Sequence, residues 1–322
     1  MCRRILIIFN PEAGMGRGRR VARKIMGWRK QISKERGIEI DVKNIELLEQ
    51  NKSAMINLSK AIERDDECIA IVGGDSTVNL LINLLRDIQI PIGIIPVGTA
   101  NDLAKELGIP NNPRKALDLL VEDNKKIQPI DIGEVIWKDG RRYFVTNFSV
   151  GFDTEVVRYA EALKQKLRFL SFLPNVGVLI YAISLFRALF FYSEYPDVEM
   201  EIRKEGFTEK LNEEITSIIV CNNRRYGKIF TILPNAEIID GLLDICKMGK
   251  MGKFLIFINL FRALRGTLTG SKGVKIFSKI ECISISSLNP LICQMDGDTF
   301  SIQAKEFEIF VLPKQLRIIV PA

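Results

Sequence analysis

Short, nearly continuous apolar runs alternate with amphipathic stretches over the first part of the chain. ILIIF (5–9), IEIDVKNI (38–45), CIAIV (68–72) and IGIIPV (92–97) have the length and β-branched content of buried strands. Between them, residues 19–35, SAMINLSKAIER (53–64), the stretch from Thr77 and the one opening near Ala100 carry helical spacing. This alternation predicts an α/β domain over residues 1–130 with a parallel, doubly wound sheet.

Past residue 130 the period changes. YFVTNFSVGF (143–152), VEMEIRK (198–204), EITSIIVCNN (214–223), GLLDICKM (241–248), KIECISISS (279–287) and FEIFVLP (307–313) read as strands separated by turn residues. Helical stretches near 155–192 and 249–265 interrupt them. The pattern predicts a second, mainly antiparallel β-sandwich domain over 131–322, whose last strand can return to the first domain. Within it, FLSFLPNVGVLIYAISLFRALFFY (169–192) is the longest apolar region. Pro174, Asn175, Gly177 and Arg187 interrupt it, leaving it short of the ~20 clean apolar residues that a spanning helix needs. A helix on the core or at a membrane surface is the expectation.

Composition narrows the chemistry. At 322 residues and 47% hydrophobic the chain can bury a substantial core. It has no histidine, which excludes Ser-His-Asp and Cys-His nucleophiles and leaves general base work to Asp, Glu, Lys, Cys or Tyr. The six cysteines show no C-x-x-C spacing and sit mostly in apolar runs, as reduced, buried thiols do. MCRR leads directly into a strand, so a cytoplasmic protein is expected. The net charge of +7 is concentrated: residues 1–36 hold eleven Arg or Lys, and residues 247–280 hold eight with no acid, around FLIFINLF. Basic groups beside apolar ones suit an anionic membrane surface. No base-reading element accompanies them, so nucleic acid is not an expected partner.

Candidate chemistry lies at three strand ends, where open α/β sheets bind ligands. In IIFNPEAGMGRG (7–18) three glycines permit close backbone approach, and Arg17, Arg19 and Arg20 follow. The spacing fits neither a P-loop nor a dinucleotide fingerprint. In IVGGDSTVN (71–79), Gly73 and Gly74 permit a tight turn, Asp75 can hold Mg²⁺ or cap the helix, and Thr77 stands where a phosphate is stabilised. In IIPVGTANDLAKELGIP (94–110), Gly98-Thr99 follow the strand and Asn101 or Asp102 opens the next helix.

GGDST with Val78-Asn79, and GTANDLA some twenty residues later, resemble the GGDGT-x-N and GTAND-x-A motifs of the diacylglycerol kinase catalytic-domain family. NPEAG is similar to that family's NP-x-S-G loop, and DIGEV with NFSVGFDTEV to its passage into the second domain. CNNRRYGKIFTILPNAEIIDGLLDI and CQMDGDTF resemble its later motifs, so the likeness runs through nearly the whole chain. The resemblance implies a kinase passing the γ-phosphoryl of ATP to a lipid hydroxyl with Mg²⁺. It places Asn10, Gly73, Gly74, Asp75, Ser76, Thr77, Val78 and Asn79 around the nucleotide phosphates, with Thr99 contacting the nucleotide. It assigns Asp75 and Asp102 to the metal and the transferring phosphate, and Asp298 to the proton of the lipid hydroxyl. It also implies a structural Mg²⁺ or Ca²⁺ site at Glu237, Asp240 and the Leu242 carbonyl.

The chain departs from the family pattern at Ser76, in place of the third glycine, at Leu80, usually a glutamate, and at Asp298, also usually a glutamate. A nucleotide-contacting threonine near position 48 is replaced by Leu48. If position 76 requires φ > 0, serine costs about 1 kcal/mol. Two readings follow: an active lipid kinase at an anionic membrane surface, or a family member that binds nucleotide or lipid without turnover. An NAD kinase shares the glycine loop but not GTAND. A homodimer is compatible with the sequence, which names neither the lipid nor the oligomeric state.

Overall fold

The computed structural model describes residues 3–44, 62, 66–85, 90–167, 170, 176–227, 229–299 and 302–322. The helix expected over 53–64, apart from Ile62, and Leu48 lie outside them. The chain divides into two compact units, Met1–Ile130 with Gln315–Ala322, and Asp131–Lys314.

The first unit contains β1 (Arg3–Phe9), α1 (Ala13–Arg36), β2 (Ile38–Asn44), β3 (Asp66–Gly73), α2 (Asp75–Leu85), β4 (Ile92–Pro96), α3 (Asp102–Glu106) and α4 (Pro113–Val121). Its strands run parallel in the order β2-β1-β3-β4, and Ile318 of the final strand pairs in parallel with Ile92 beyond β4. Chain order reverses beside β1, which puts a topological switch point between the ends of β1 and β3. Ile5 to Ile8 and Cys68 to Val72 are fully buried, as strands covered on both faces must be. Helix α1 packs on β2 and β3, and α4 on β4. Helix ends follow local chemistry: Gly37 closes α1 at φ 65°, and the Asn112 Oδ1 caps α4 by accepting from the amides of Arg114 and Lys115 ahead of Pro113.

The chain passes to the second unit along β5 (Lys126–Trp137) and returns along β15 (Gln303–Val320). Between them lie β6 (Gly140–Phe144), β7 (Asn147–Gly151), α5 (Phe152–Lys166), α6 (Val176–Phe191), β8 (Asp197–Lys204) and β9 (Phe207–Cys221). The short pair β10 (Arg225–Tyr226) and β11 (Phe230–Thr231) follows. Then come β12 (Leu243–Gly249), α7 (Lys253–Leu264), β13 (Val274–Ile280) and β14 (Cys282–Met295).

The strands of this unit pair antiparallel in the order β13-β12-β9-β7-β14-β15, with β8 bonded to both β9 and β14. Strands β9 and β14 each change partners along their length, so one strand serves two sheet layers. Phe144, Phe148 and Phe307 fill the core between them, the last two with ring centroids 5.4 Å apart.

Two expected strands are broken by specific contacts. The run 143–152 is β6 and β7, because the Val145 and Thr146 amides leave the ladder to donate to the Asp296 carboxylate. The run 279–287 divides at Glu281, two residues past Lys279 at φ 61°, where the Glu281 amide donates to the Arg203 carbonyl at 3.1 Å. The apolar region 169–192 contributes α6, and among the described residues no helix is long and apolar enough to cross a membrane. The five described cysteines are buried free thiols.

Candidate functional site

Three strand ends of the first unit meet through glycine. A Cβ on Gly98 would lie 2.5 Å from the Gly74 Cα, and one on Gly14 would lie 2.0 Å from the Val97 carbonyl oxygen. Only the absence of a side chain allows these backbones so close. Gly14, Met15 and Gly16 take left-handed backbone, so the chain turns before α1 proper begins near Arg17. The Val97 amide donates to the Gly73 carbonyl at 2.9 Å. Arg17 Nη2 donates to the Gly98 carbonyl at 2.7 Å and Nε to that of Gly14 at 3.2 Å, and burial lowers its pKa from the ordinary value.

The remaining polar groups here are cross-tied. Asn10, at the end of β1, donates from Nδ2 to Thr77 Oγ1 at 3.1 Å and accepts the Glu12 amide on Oδ1. Asp75 opens α2, and its Oδ1 accepts the Leu103 amide at 3.2 Å, which ties it to α3. Asp102 is buried, with Lys105 Nζ 3.7 Å from its Oδ1. Asn101 holds φ 55° and donates from Nδ2 to the Gly98 carbonyl, while its buried Oδ1 has no hydrogen-bond partner. Thr99 is half-buried beside it. Ser76 lies in the first turn of α2 with right-handed backbone, so serine at this position carries no left-handed strain. Val78 and Asn79 face inward: both side chains are buried, and the Val78 amide donates to the Gly74 carbonyl. The amides that begin α2 are therefore those of Asp75, Ser76 and Thr77.

The second unit holds its acids differently. In QMDGDT (294–299) Asp296 is buried at φ 50°, and its carboxylate accepts the amides of Val145, Thr146 and Asn147 and the Thr146 hydroxyl. Gln294 Oε1 accepts the Gly297 amide at 2.9 Å, and its Nε2 reaches Asn147, Ser149 and Tyr226. Ser149, Ser217 and Tyr226 donate in turn to the buried Asp153 carboxylate, whose pKa is nevertheless raised by burial. Asp298, two residues beyond Asp296, is half-buried. Beside it Glu161 of α5 accepts the Thr299 amide at 3.0 Å and the Thr299 hydroxyl at 2.8 Å, and hydrogen-bonds Asp298 itself.

In the turn before β12, Asp131 accepts the amides of Gly241 and Lys314, each at 2.7 Å, and Asp240 accepts that of Leu242 at 3.0 Å. Partial burial, then the charges of Glu237 and Asp131, raise the Asp240 pKa. Both Asp131 oxygens are engaged, leaving Glu237, Asp240 and the Leu242 carbonyl for an ion that takes about six to eight oxygens. Among the described residues no three acidic or thiol side chains gather to hold a metal. The donors expected for a structural metal, Glu237, Asp240 and the Leu242 carbonyl, stand in this one turn, which its hydrogen bonds close.

Residues 4–135 match the family model of the diacylglycerol kinase catalytic domain. Residues 146–320 match that of the YegS C-terminal, NAD kinase β-sandwich-like domain. The chain belongs to the family that joins this YegS-type C-terminal domain to a diacylglycerol kinase catalytic domain. A protein named diacylglycerol kinase from Mycobacterium tuberculosis is 32% identical over 190 residues, an alignment that spans 58% of this chain and 57% of that protein. A diacylglycerol kinase of Bacillus subtilis is 26% identical over 324 residues, 99% of this chain and 97% of that one. A solved structure of a diacylglycerol kinase from Bacillus anthracis shares the fold with a TM-score of 0.66, over 99% of this chain and 97% of that one, at 19% identity.

Within this lipid kinase family pattern, several residues that shape the site escape a motif reading. Asp296 stands inside the recognised loop, yet its clamp on β6 and β7 depends on residues 149 to 151 positions earlier in the chain. Glu161 sits in an ordinary amphipathic helix, 138 residues before Thr299, and no local spacing marks it.

Proposed function

We propose that the protein transfers the γ-phosphoryl group of ATP to the hydroxyl of a diacylglycerol-like lipid, with Asp298 as general base. The observation that carries this reading is the junction of strand ends: backbones in contact through Gly74 and Gly98, Asp75 tied to Leu103, and a buried Asn101 Oδ1 without a partner. Such an arrangement offers amides at the start of α2 to phosphate oxygens and oxygen donors to a cation. Asn10, Gly73, Gly74, Asp75, Ser76 and Thr77 cradle the phosphates in this reading, Thr99 contacts the nucleotide, and Val78 and Asn79 shape the loop from inside.

Mg²⁺ is commonly held by one or two carboxylates together with substrate phosphates, and Asp75, Asp102 and the Asn101 oxygen are donors of that kind. When bound, it neutralises charge on the phosphates. The protein's own work is positioning. Asp298 takes the proton of the acceptor hydroxyl as its oxygen bonds to the γ-phosphorus and the bond to ADP breaks. A carboxylate base suits a chain without histidine.

The lipid is met, in this reading, through α6 and α7. Phe186, Phe191 and Phe254 are 65%, 72% and 77% exposed, with Leu179, Phe190, Phe257 and Phe261 beside them. Lys253 donates to the Phe190 carbonyl, tying the two helices, and Arg262 and Arg265 add positive charge. Aromatic and basic side chains together favour an anionic bilayer surface. Binding to anionic vesicles is expected to weaken steeply as salt rises; salt-indifferent binding removes the electrostatic part.

The deciding experiment offers labelled ATP and Mg²⁺ to a panel of diacylglycerol, ceramide, a sphingoid base and phosphatidylglycerol in mixed micelles. Label should enter one lipid, and Asp298→Asn should lower kcat by about 10²- to 10⁴-fold. No label in any lipid, with ATP still bound, overturns the reading in favour of a binding protein without turnover.

A further inference from the structure

We infer that Glu161 of α5 is a positioning residue for the base, fastening the Asp298–Thr299 segment and directing the Asp298 carboxylate toward the acceptor hydroxyl. The inference rests on the reading of Asp298 as general base. Three contacts converge on one side chain: the Thr299 amide at 3.0 Å, the Thr299 hydroxyl at 2.8 Å, and Asp298. A carboxyl from a helix thus grips both residues of a segment that would otherwise present an aspartate on a short loop.

The surroundings fit a pair of carboxyls that share one proton. Burial first, and then the neighbouring Asp298 charge, push the Glu161 pKa up to about 8. Near neutral pH Glu161 is therefore protonated and donates to Asp298. Lys164, one turn along α5, donates to Tyr181 Oη of α6 at 3.1 Å and lies 4.5 Å from its ring centroid. Burial opposes its charge, but Tyr181, Glu161 and Asp298 more than offset this and raise its pKa. Tyr181 Oη also lies 3.9 Å from where a Gly297 Cβ would stand, which brings it against the same loop.

The step balances as follows. The acceptor O–H bond breaks and its proton passes to Asp298. The acceptor oxygen bonds to the γ-phosphorus, and the bond from that phosphorus to the departing ADP oxygen breaks. Glu161 keeps its own proton throughout, so the pair passes from one negative charge to none. Above the Glu161 pKa the proton between the two groups is gone, so the hydrogen bond is lost and the groups repel.

The test is the pH dependence of kcat in the mixed-micelle assay for the wild type, Glu161→Gln and Glu161→Ala. Wild-type kcat should fall as pH rises through about 8. Glu161→Gln, which mimics the protonated carboxyl, should keep kcat within about threefold at neutral pH and show no alkaline fall. Glu161→Ala should lose about tenfold or more in kcat at every pH with KM for ATP unchanged. An alkaline fall in Glu161→Gln like that of the wild type overturns the inference, as does full activity in Glu161→Ala. If the alanine variant does not fold, the glutamine profile decides. An active wild type with an unimpaired Asp298→Asn removes the base itself and this inference with it. If no lipid accepts phosphate, the carboxyl carbon-13 shift of Glu161 decides the pairing. It should titrate near about 8 and move lower in Asp298→Asn; titration at an ordinary carboxylate pH overturns it.

Discussion

The acids of the two units are held by opposite means. In the first, Asp75 and Asp102 stand where main chains touch, and the contact depends on what is missing: no Cβ at Gly74 or Gly98. In the second, Asp296 and Asp298 belong to a loop whose shape depends on what is present, side chains and amides recruited from β6, β7 and α5. A strand-end turn of the first kind fails when an atom is added. A loop of the second kind fails when an acceptor is removed. Residues 296 and 298 sharpen the difference, since they are two positions apart: the first is buried on three amides and a hydroxyl, the second half-buried beside Glu161.

The largest effect should come from Asp296→Asn. Its carboxylate takes three amides and a hydroxyl in a buried setting, and an asparagine would turn an NH₂ toward one of those donors. Leaving buried donors facing a donor costs about 3 kcal/mol, or about 6–12 °C in the melting temperature of a unit this size. Calorimetry of the full chain checks it; a shift under about 2 °C would mean that β6 and β7 do not depend on the clamp.

The same contrast explains what could be read from the residues alone. The glycine turns are local: GGD and GTAND are contiguous letters placed after apolar runs, so strand, turn and helix are visible together. Parallel strands are what such runs lead one to expect, whereas their order β2-β1-β3-β4 is not written in them, and Ser76 departs from the motif without left-handed backbone strain. Neither the division of 143–152 into two strands nor the grip of Glu161 on Thr299 is local. Each is set by a partner more than a hundred residues away, which periodicity does not report. The clasp on the acidic turn at 237–242 is hidden for a related reason: Asp131, on β5, takes the Gly241 and Lys314 amides from far along the chain.

A smaller effect tests the first half of the contrast. Gly98→Ala would bring a Cβ within 2.5 Å of the Gly74 Cα and 2.7 Å of the Asn101 Oδ1. Crowding of that kind costs about 1–3 kcal/mol, and ATP affinity by titration calorimetry is expected to fall about tenfold as the turn opens. Gly27→Ala is the control, because its Cβ meets nothing within 4 Å inside α1 and should raise stability by about 0.4–1 kcal/mol. Equal behaviour of the two variants would mean that the strand ends tolerate separation.

A last test concerns the pH dependence of stability. Glu161 has its folded pKa raised from 4.5 to about 8, by burial and then by Asp298. A folded state that binds a proton more tightly than the unfolded chain gains stability where both are protonated and loses it as that proton leaves. The Glu161 contribution is therefore fully present below about 4.5 and is lost as pH rises through about 8. Glu161→Gln cannot lose the proton it imitates. Its melting temperature should fall less than the wild type's between about pH 5 and pH 9, the two curves separating from about 4.5 to about 8 and keeping a constant gap above. Parallel curves would show that the carboxyl pair does not store this proton. Thr299 would then be held by hydrogen bonds alone, and the loop of the second unit would answer to geometry as the glycine turns of the first do.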